Sequence, residues 1–147
     1  MTFFKRYFKH LLFAAALFLA AAAIFFNPLR LYDADIGSNR TAFFQKYGWV
    51  TESEPYLCEQ VQIPLEFDHT LDKYNEIQKR SGFDLSKYRG AVAKRYSYRV
   101  LNHLSDKRYA YANIFVYQKK IIAADIVSPK INGFIAAVSD VQFQERK

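Results

Sequence analysis

Residues 109–128, YAYANIFVYQKKIIAADIVS, contain two runs of β-branched and aromatic residues separated by Gln118 and Lys119. Such residues favour strands, and two runs this close together predict an antiparallel hairpin. With Gln118 and Lys119 as the turn, Phe115 faces Ile122 and Asn113 faces Ala124 on one side of the hairpin. The other side is aliphatic apart from its last member, and it carries Ala112, Ile114, Val116, Ile121, Ala123 and Asp125.

Two helices are predicted upstream of this hairpin. The longer helix covers about residues 66–81, because apolar side chains recur there at four- and three-residue spacings. These side chains are Phe67, Leu71, Tyr74 and Ile77. A shorter helix is expected to begin at a Ser38 or Asn39 cap and to end at Gly48.

The order of the elements indicates the fold class. Two more strands are predicted, one over 56–63, where apolar and polar residues alternate before Pro64, and one over 91–101. The resulting order is α-β-α-β-β-β. With antiparallel pairing, this order predicts an α+β two-layer domain with a sheet of about four strands and one or two helices packed on one face.

The N-terminus carries a predicted membrane segment. Residues 11–26, LLFAAALFLAAAAIFF, contain no charged side chain. A helix of that length spans about 24 Å, and residues 7–10 extend it toward the ~30 Å of a bilayer core. Lys5, Arg6 and Lys9 precede the run, so the positive-inside rule places the N-terminus in the cytoplasm and the rest of the chain outside.

The chain has 147 residues, of which 51% are hydrophobic and 24% charged, and this composition suits one small domain.

A cleaved signal peptide is the alternative to an anchor, because residues 20–23 are small. The apolar run continues through residue 26, which favours an uncleaved anchor. The predicted single-pass organisation is a basic cytoplasmic flank (1–10), a transmembrane signal anchor (11–26), a stalk (27–38), an extracytoplasmic domain (39–138) and a tail (139–147).

Few residues carry recognisable chemistry. Cys58 is the single cysteine, which excludes an internal disulfide, and we expect it to be a small buried apolar residue. A cysteine nucleophile would need His69 or His103 beside it. The histidines are too scattered to predict a metal site, and no cofactor motif is present. Asp125 interrupts an apolar run, so we expect it to be hydrogen-bonded, paired with a cation such as Arg95 or Arg99, or open to water, with a ligand or catalytic role as the alternative.

Cations alternate with tyrosines along the strand over 91–101 and after it. In a cytosolic protein this pattern is typical of nucleic-acid binding, but the predicted location argues against that partner, and outside the membrane the same side chains suit the phosphates of an anionic wall polymer. An ordinary solvated strand face, with tyrosines that simply favour strands, is the preferred interpretation of the pattern. The candidate ligand or polyanion contacts are Arg95, Tyr96, Tyr98, Arg99, Lys107, Arg108 and Asp125.

Residues 82–90, GFDLSKYRG, are followed by 94–98, KRYSY, and 100–102, VLN. With further ordered motifs over about 40–138, this pattern resembles the family called domain of unknown function 4830, found in Gram-positive envelope proteins. The resemblance implies an N-terminal membrane segment and a small extracytoplasmic domain, and it implies no activity. The chain departs from the family at Gln118-Lys119, where relatives tend toward Asp-Gly.

The sequence therefore predicts a membrane-anchored, non-enzymatic module that presents its outer domain to another envelope component. Binding of an anionic wall polymer is the alternative. A hydrolase that uses Asp125 or Cys58 is a third hypothesis.

Overall fold

The protein is described from a computed structural model, which describes residues 33–102, 110–129 and 133–141. Its sheet has five antiparallel strands in chain order. They are β1 (Leu57–Gln62), β2 (Val92–Arg99), β3 (Tyr111–Tyr117), β4 (Lys120–Val127) and β5 (Ile135–Ala137). Helix α1 (Gly37–Lys46) precedes β1, and helix α2 (His69–Arg80) and a 3-10 turn (Leu85–Tyr88) connect β1 to β2. The predicted α+β class is confirmed.

The predicted flank 1–10 and anchor 11–26 lie outside the described residues, as do positions 27–32 of the predicted stalk. Within the three described ranges, no helix has the length and apolar character that crossing a membrane requires.

The two faces of the sheet carry different residues. The first face carries Tyr96, Tyr98, Ala112, Ile114, Ala124 and Ile126, which belong to one buried cluster. The second face carries Ala93, Phe115 and Ala123 of another cluster, together with Arg95, Ser97, Asn113 and Asp125.

The helices contact opposite faces, so the expectation of helices on one face is wrong. Phe44 of α1 lies edge-on to Tyr98 on the first face, with ring centroids 6.0 Å apart. Tyr74 of α2 donates a hydrogen bond to Asp125 on the second face. The sheet also gains a fifth strand, β5, which is too short to show a two-residue period.

The hairpin has the predicted turn and a different register. Gln118 and Lys119 both have positive φ, 47° and 66°, as a type I′ hairpin turn requires. Val116 pairs with Ile121 as predicted, but a β-bulge between Phe115 and Val116 shifts the remaining pairs by one residue. Asp125 therefore faces Asn113, and its expected place on the aliphatic side is wrong.

Helix α1 begins without the expected cap. Its N-cap residue is Ile36, which makes no side-chain capping bond, while the side-chain amide of Asn39 donates to the Asp33 carbonyl at 3.0 Å. The described part of the predicted stalk, 33–38, contacts the hairpin: the Ala34 amide donates to the Lys119 carbonyl at 3.0 Å. This segment is joined to the sheet by hydrogen bonds.

Helix α2 is capped and polar on its buried side. Asp68 accepts a hydrogen bond from the Leu71 amide at 2.8 Å, which fixes the first turn. The charged residues on the opposite side of the helix are exposed; they are Asp72, Lys73, Glu76, Lys79 and Arg80. The buried residues are Asn75 and Gln78, and both form hydrogen bonds that position the site described below.

Candidate functional site

A groove lies on the second face of the sheet beside α2. Its main cavity has a volume of about 320 Å³, and a smaller cavity of about 190 Å³ adjoins it. Arg95, Asn113 and Val127 line both cavities, so we treat the two as one feature and call it the groove. Most of the main cavity's wall is apolar and consists of Val61, Ile63, Pro64, Leu71, Leu85, Phe115, Val127 and Ile135.

Five hydrogen-bonded polar residues form what we call the polar floor: Ser97, Asn113, Asp125, Tyr74 and Gln78. The Ser97 hydroxyl donates to Asn113 Oδ1 at 2.6 Å, and Asn113 Nδ2 donates to Asp125 Oδ1 at 2.8 Å. Asp125 Oδ2 accepts from the Tyr74 hydroxyl and, at 3.4 Å, from Gln78 Nε2. Asp125 is only 2% exposed, and its side-chain oxygens have neutral donors.

Gln78 also completes the sheet edge. Strand β5 pairs with β4 only over Asp125–Val127, so the preceding residue, Ala124, has no strand partner there. The Gln78 Oε1 atom accepts a hydrogen bond from the Ala124 amide at 2.9 Å. One amide side chain thus satisfies a backbone donor and orients the Asp125 carboxyl group.

Burial raises the pKa of Asp125 above its ordinary value of 3.8, although the hydrogen bonds from Tyr74 and Asn113 oppose this shift. The pKa of Tyr74 is raised well above 10.0, first by burial and then by the charge of Asp125. Tyr74 is therefore held as a hydroxyl donor, and the floor is a fixed polar network.

Arg95 lies where the two cavities meet. Its Nη2 atom forms an ion pair with Glu59 on β1, whereas Asp125 is held by the hydrogen bonds of the floor and interacts with Arg95 only through its charge. Arg99, the other expected partner, lies 3.6 Å from Glu52. Among the described residues, the buried Nε atom of Arg95 has no hydrogen-bond acceptor. A hydrogen-bond donor at the groove is therefore left unused.

The structure does not bring the predicted polyanion contacts onto one surface. Tyr96 and Tyr98 lie on the first face and are 8% and 0% exposed, whereas Arg95 lies on the second face. The guanidinium of Arg40 stacks 3.7 Å from the Tyr96 ring and donates to the Tyr98 hydroxyl at 2.7 Å. Lys107 and Arg108 lie outside the described residues. The tyrosines therefore belong to the core.

Cys58 is exposed, so its expected burial is wrong. It alternates with Leu57 and Glu59 along an edge strand and therefore points away from the groove. His69 is exposed at the start of α2, and His103 lies outside the described residues. In the part of the chain that the structure describes, no three His, Cys, Asp or Glu side chains are grouped as metal ligands.

Sequence reasoning singled out Arg95 and Asp125 but missed the other polar members of the groove. Asn113 interrupts the apolar run of β3 as Asp125 interrupts that of β4, and these two interruptions were a usable signal. Gln78 gave no such signal, because a polar residue on an amphipathic helix is normally exposed.

The comparisons with known proteins identify a family and no individual relative. The family model described as Domain of unknown function (DUF4830) matches residues 43–126, which is more than half of the chain. This match confirms the resemblance drawn from the motifs in 82–102. No curated protein and no solved structure matches the chain.

Proposed function

The chain belongs to the DUF4830 family of domains of unknown function, and we propose that the groove makes this member a non-enzymatic binding module for an apolar ligand. The observation that carries the proposal is the open apolar groove on the second face, with its internally hydrogen-bonded polar floor. Ligand sites are typically concave, mostly apolar and supplied with a few oriented polar groups.

The rim of the groove supports this proposal. Tyr56 and Leu57, which line the smaller cavity, are 67% and 37% exposed, and Ile135 of the main cavity is 48% exposed. These side chains remain in water although the groove beside them is apolar. A ligand that covers them removes apolar surface from water, which is favourable by about 25 cal/mol per Å².

Binding is favoured over hydrolysis by the state of the chemical groups. Asp125 already accepts hydrogen bonds on both oxygens, and its donors hold it within the floor. Cys58 points away from the groove on the other side of β1. A general base or nucleophile must reach its substrate directly or through one water. The Asp125 carboxyl group and the Cys58 thiol lie on opposite faces of the sheet, so they do not form a base–nucleophile pair.

We place this binding domain outside the cell, on an uncleaved anchor at residues 11–26. Support comes from the uncharged run itself and from the basic residues before it. The domain would then present the groove to small molecules or proteins of the cell envelope.

A neutral apolar probe tests the groove directly. In methyl NMR of the full-length chain, we expect hexanol to shift the resonances of Val61, Leu85 and Ile135. The methyl groups of Val100 and Ile126, which lie in the cluster of the first face, should keep their positions. Shifts spread over both faces, or no shift at Val61, Leu85 and Ile135, would contradict the proposal.

A groove-filling variant supplies the control. Val127→Phe adds an aromatic ring to the wall shared by both cavities and keeps a residue that favours strands. Val92→Phe makes the same change at a position that is 52% exposed and lies outside the groove. We expect hexanol binding to be lost in the first variant and kept in the second.

The single cysteine tests the location. Because Cys58 is exposed, a membrane-impermeant maleimide should label the full-length protein on intact cells, and Cys58→Ser should abolish the labelling. Labelling that requires lysis would show that the domain lies inside, and the proposed location would then be wrong.

A further inference from the structure

The groove has an unused hydrogen-bond donor, whereas its acceptors already receive hydrogen bonds. The acceptor oxygens of Asp125 receive hydrogen bonds from Tyr74, Gln78 and Asn113, and Asn113 Oδ1 receives the Ser97 hydroxyl. Asn113 Nδ2 uses one of its two N–H groups on Asp125. The groove thus presents mostly filled acceptors.

Arg95 supplies the strongest unused donor. Its Nε atom is buried and lacks an acceptor among the described residues, although a buried polar atom is costly when unpaired. Glu59 pairs with Nη2 only, and its side chain is 39% exposed, so the pair is accessible to water. An exposed pair of this kind is weak, and a second acceptor at Nε does not need to break it.

The position of Arg95 completes the argument. The residue lines both cavities and its side chain is 34% exposed, so an acceptor that reaches its guanidinium from the groove sits at the junction of two apolar spaces. A ligand with a polar end at Arg95 can extend an apolar chain along Val61, Ile63 and Leu85. A carboxylate is the acceptor that suits this donor best, because a hydrogen bond from a guanidinium N–H to a carboxylate is charge-assisted and therefore stronger than one to a neutral acceptor.

We propose that the ligand of the groove is a small acyl compound, an apolar chain that ends in a carboxylate, and that Arg95 binds this carboxylate. The inference rests on the proposed binding function of the groove and adds the chemical class of its ligand. The main cavity, at about 320 Å³, lies at the lower end of the range for small-molecule sites and suits a short chain.

Two carboxyl groups of the protein lie near the proposed position. Glu59 extends from β1 into partly exposed surroundings, where solvent screens its charge. Asp125 lies in the floor and is covered by its own donors, and burial raises its pKa, which disfavours its own charged form. Arg95 therefore remains the group that decides the sign of the ligand.

Three probes of equal chain length test the inference in the full-length protein: hexanoate, hexanol and hexylamine. Their affinities are read from methyl shifts of Val61, Leu85 and Ile135. We expect hexanoate to bind about tenfold more tightly than hexylamine. Arg95→Gln should weaken hexanoate binding about tenfold and change hexanol binding by less than about twofold.

Lys94→Gln is the matched control, because Lys94 precedes Arg95, carries the same charge, and points to the other face of β2. Lys94→Gln should leave hexanoate affinity unchanged. If it weakened hexanoate binding as much as Arg95→Gln does, the effect of Arg95→Gln would reflect only the change in net charge, which would contradict the inference. If Arg95→Gln does not fold, Arg95→Lys keeps the charge, removes the Nε donor and should still weaken hexanoate binding. Hexanoate affinity unaffected by a folded Arg95 variant, with hexanol still bound, overturns the inference alone. Failure of all three probes to shift the groove methyl groups overturns the proposed function as well.

Discussion

Asp125 organises the groove because side chains from a helix and a neighbouring strand converge on its carboxyl group. Tyr74 and Gln78 reach it from α2, and Asn113 reaches it across the β3–β4 pair. A buried carboxyl group is tolerated only when donors replace the lost water. The same donors that make Asp125 tolerable therefore fix α2 against the sheet and shape one wall of the groove.

The stability contribution of Asp125 should depend on pH in a defined direction. Its folded pKa lies above 3.8 because burial disfavours the charged form. Its contribution is therefore fully present below about pH 4 and is lost as the pH rises through the folded value. We expect the unfolding free energy of the wild type, minus that of Asp125→Asn, to fall as the pH rises above about 4.

Urea unfolding of both chains at several pH values measures this difference. Asp72→Asn, on the exposed side of α2, is the control for removal of a carboxyl group in water. A difference that grows with rising pH would mean that the pKa of Asp125 is lowered in the fold, contrary to its buried setting.

Tyr74 tests the hydrogen bond at the floor by itself. Tyr74→Phe keeps the ring and removes the hydroxyl that donates to Asp125 Oδ2. We expect a loss of about 1–3 kcal/mol in unfolding free energy at neutral pH, because a buried acceptor loses a donor. Tyr56→Phe, at a position 67% exposed, should change stability by less than about 0.5 kcal/mol. Equal effects in the two variants would refute a special role for the Tyr74 hydroxyl.

At the scale of elements, the β3–β4 turn is a strained part of the hairpin. Gln118 and Lys119 adopt positive φ without being glycine, asparagine or aspartate, the residues that adopt this conformation at least cost. The Nζ atom of Lys119 lies 3.0 Å from an Asp33 carboxyl oxygen in a largely exposed ion pair. The turn thus combines a strained backbone with a contact to the segment before α1.

Replacing the first turn residue should relieve strain without breaking that contact. Gln118→Asn is expected to raise the unfolding free energy by about 0.5 kcal/mol, because asparagine adopts the left-handed conformation more readily. Gln60→Asn, in the middle of edge strand β1, should have the opposite sign, because asparagine is disfavoured in strands. Chemical unfolding distinguishes them, and a destabilised Gln118→Asn protein would show that the turn is not strained.

Arg40 joins α1 to the rest of the molecule. It donates to the Tyr98 hydroxyl and to the Ala34 and Asp35 carbonyls at 2.7, 2.7 and 2.9 Å. Arg40→Met keeps most of the side-chain volume but leaves these acceptors unpaired, and we expect a loss of about 2–4 kcal/mol. Lys46→Met, on the exposed last turn of α1, is the matched control. Thermal unfolding that is equally affected by both variants would contradict this role.

For the whole molecule, local sequence patterns predict most of the secondary-structure elements. Contacts between residues distant in the sequence determine the arrangement of the groove. The hairpin turn and four of the strands follow from β-forming runs and their spacing. The bulge after Phe115 has no local signal, yet it moves Asp125 to the second face and so creates the polar floor. The burial of Gln78 likewise depends on β5 ending short of Ala124, which no pattern within α2 reveals.

The alternation of Arg95 with Tyr96 also shows why the sequence alone could not predict the binding surface. Neighbouring strand residues point to opposite faces, so a mixed basic and aromatic sequence does not form one mixed surface. Which face is covered depends on the helices, and α1 covers the tyrosines. The groove could therefore be recognised only once the packing of the helices on the sheet was known.

Site-specific photo-crosslinking in native cells tests the central claim, that the groove on the second face is the binding site. A benzophenone side chain is placed at Leu57, on the groove rim, or at Lys94, on the first face, and the irradiated full-length chain is weighed intact. The account predicts a discrete adduct from position 57 that disappears with Val127→Phe, and none from position 94. Adducts from both positions alike, or from neither, would contradict it.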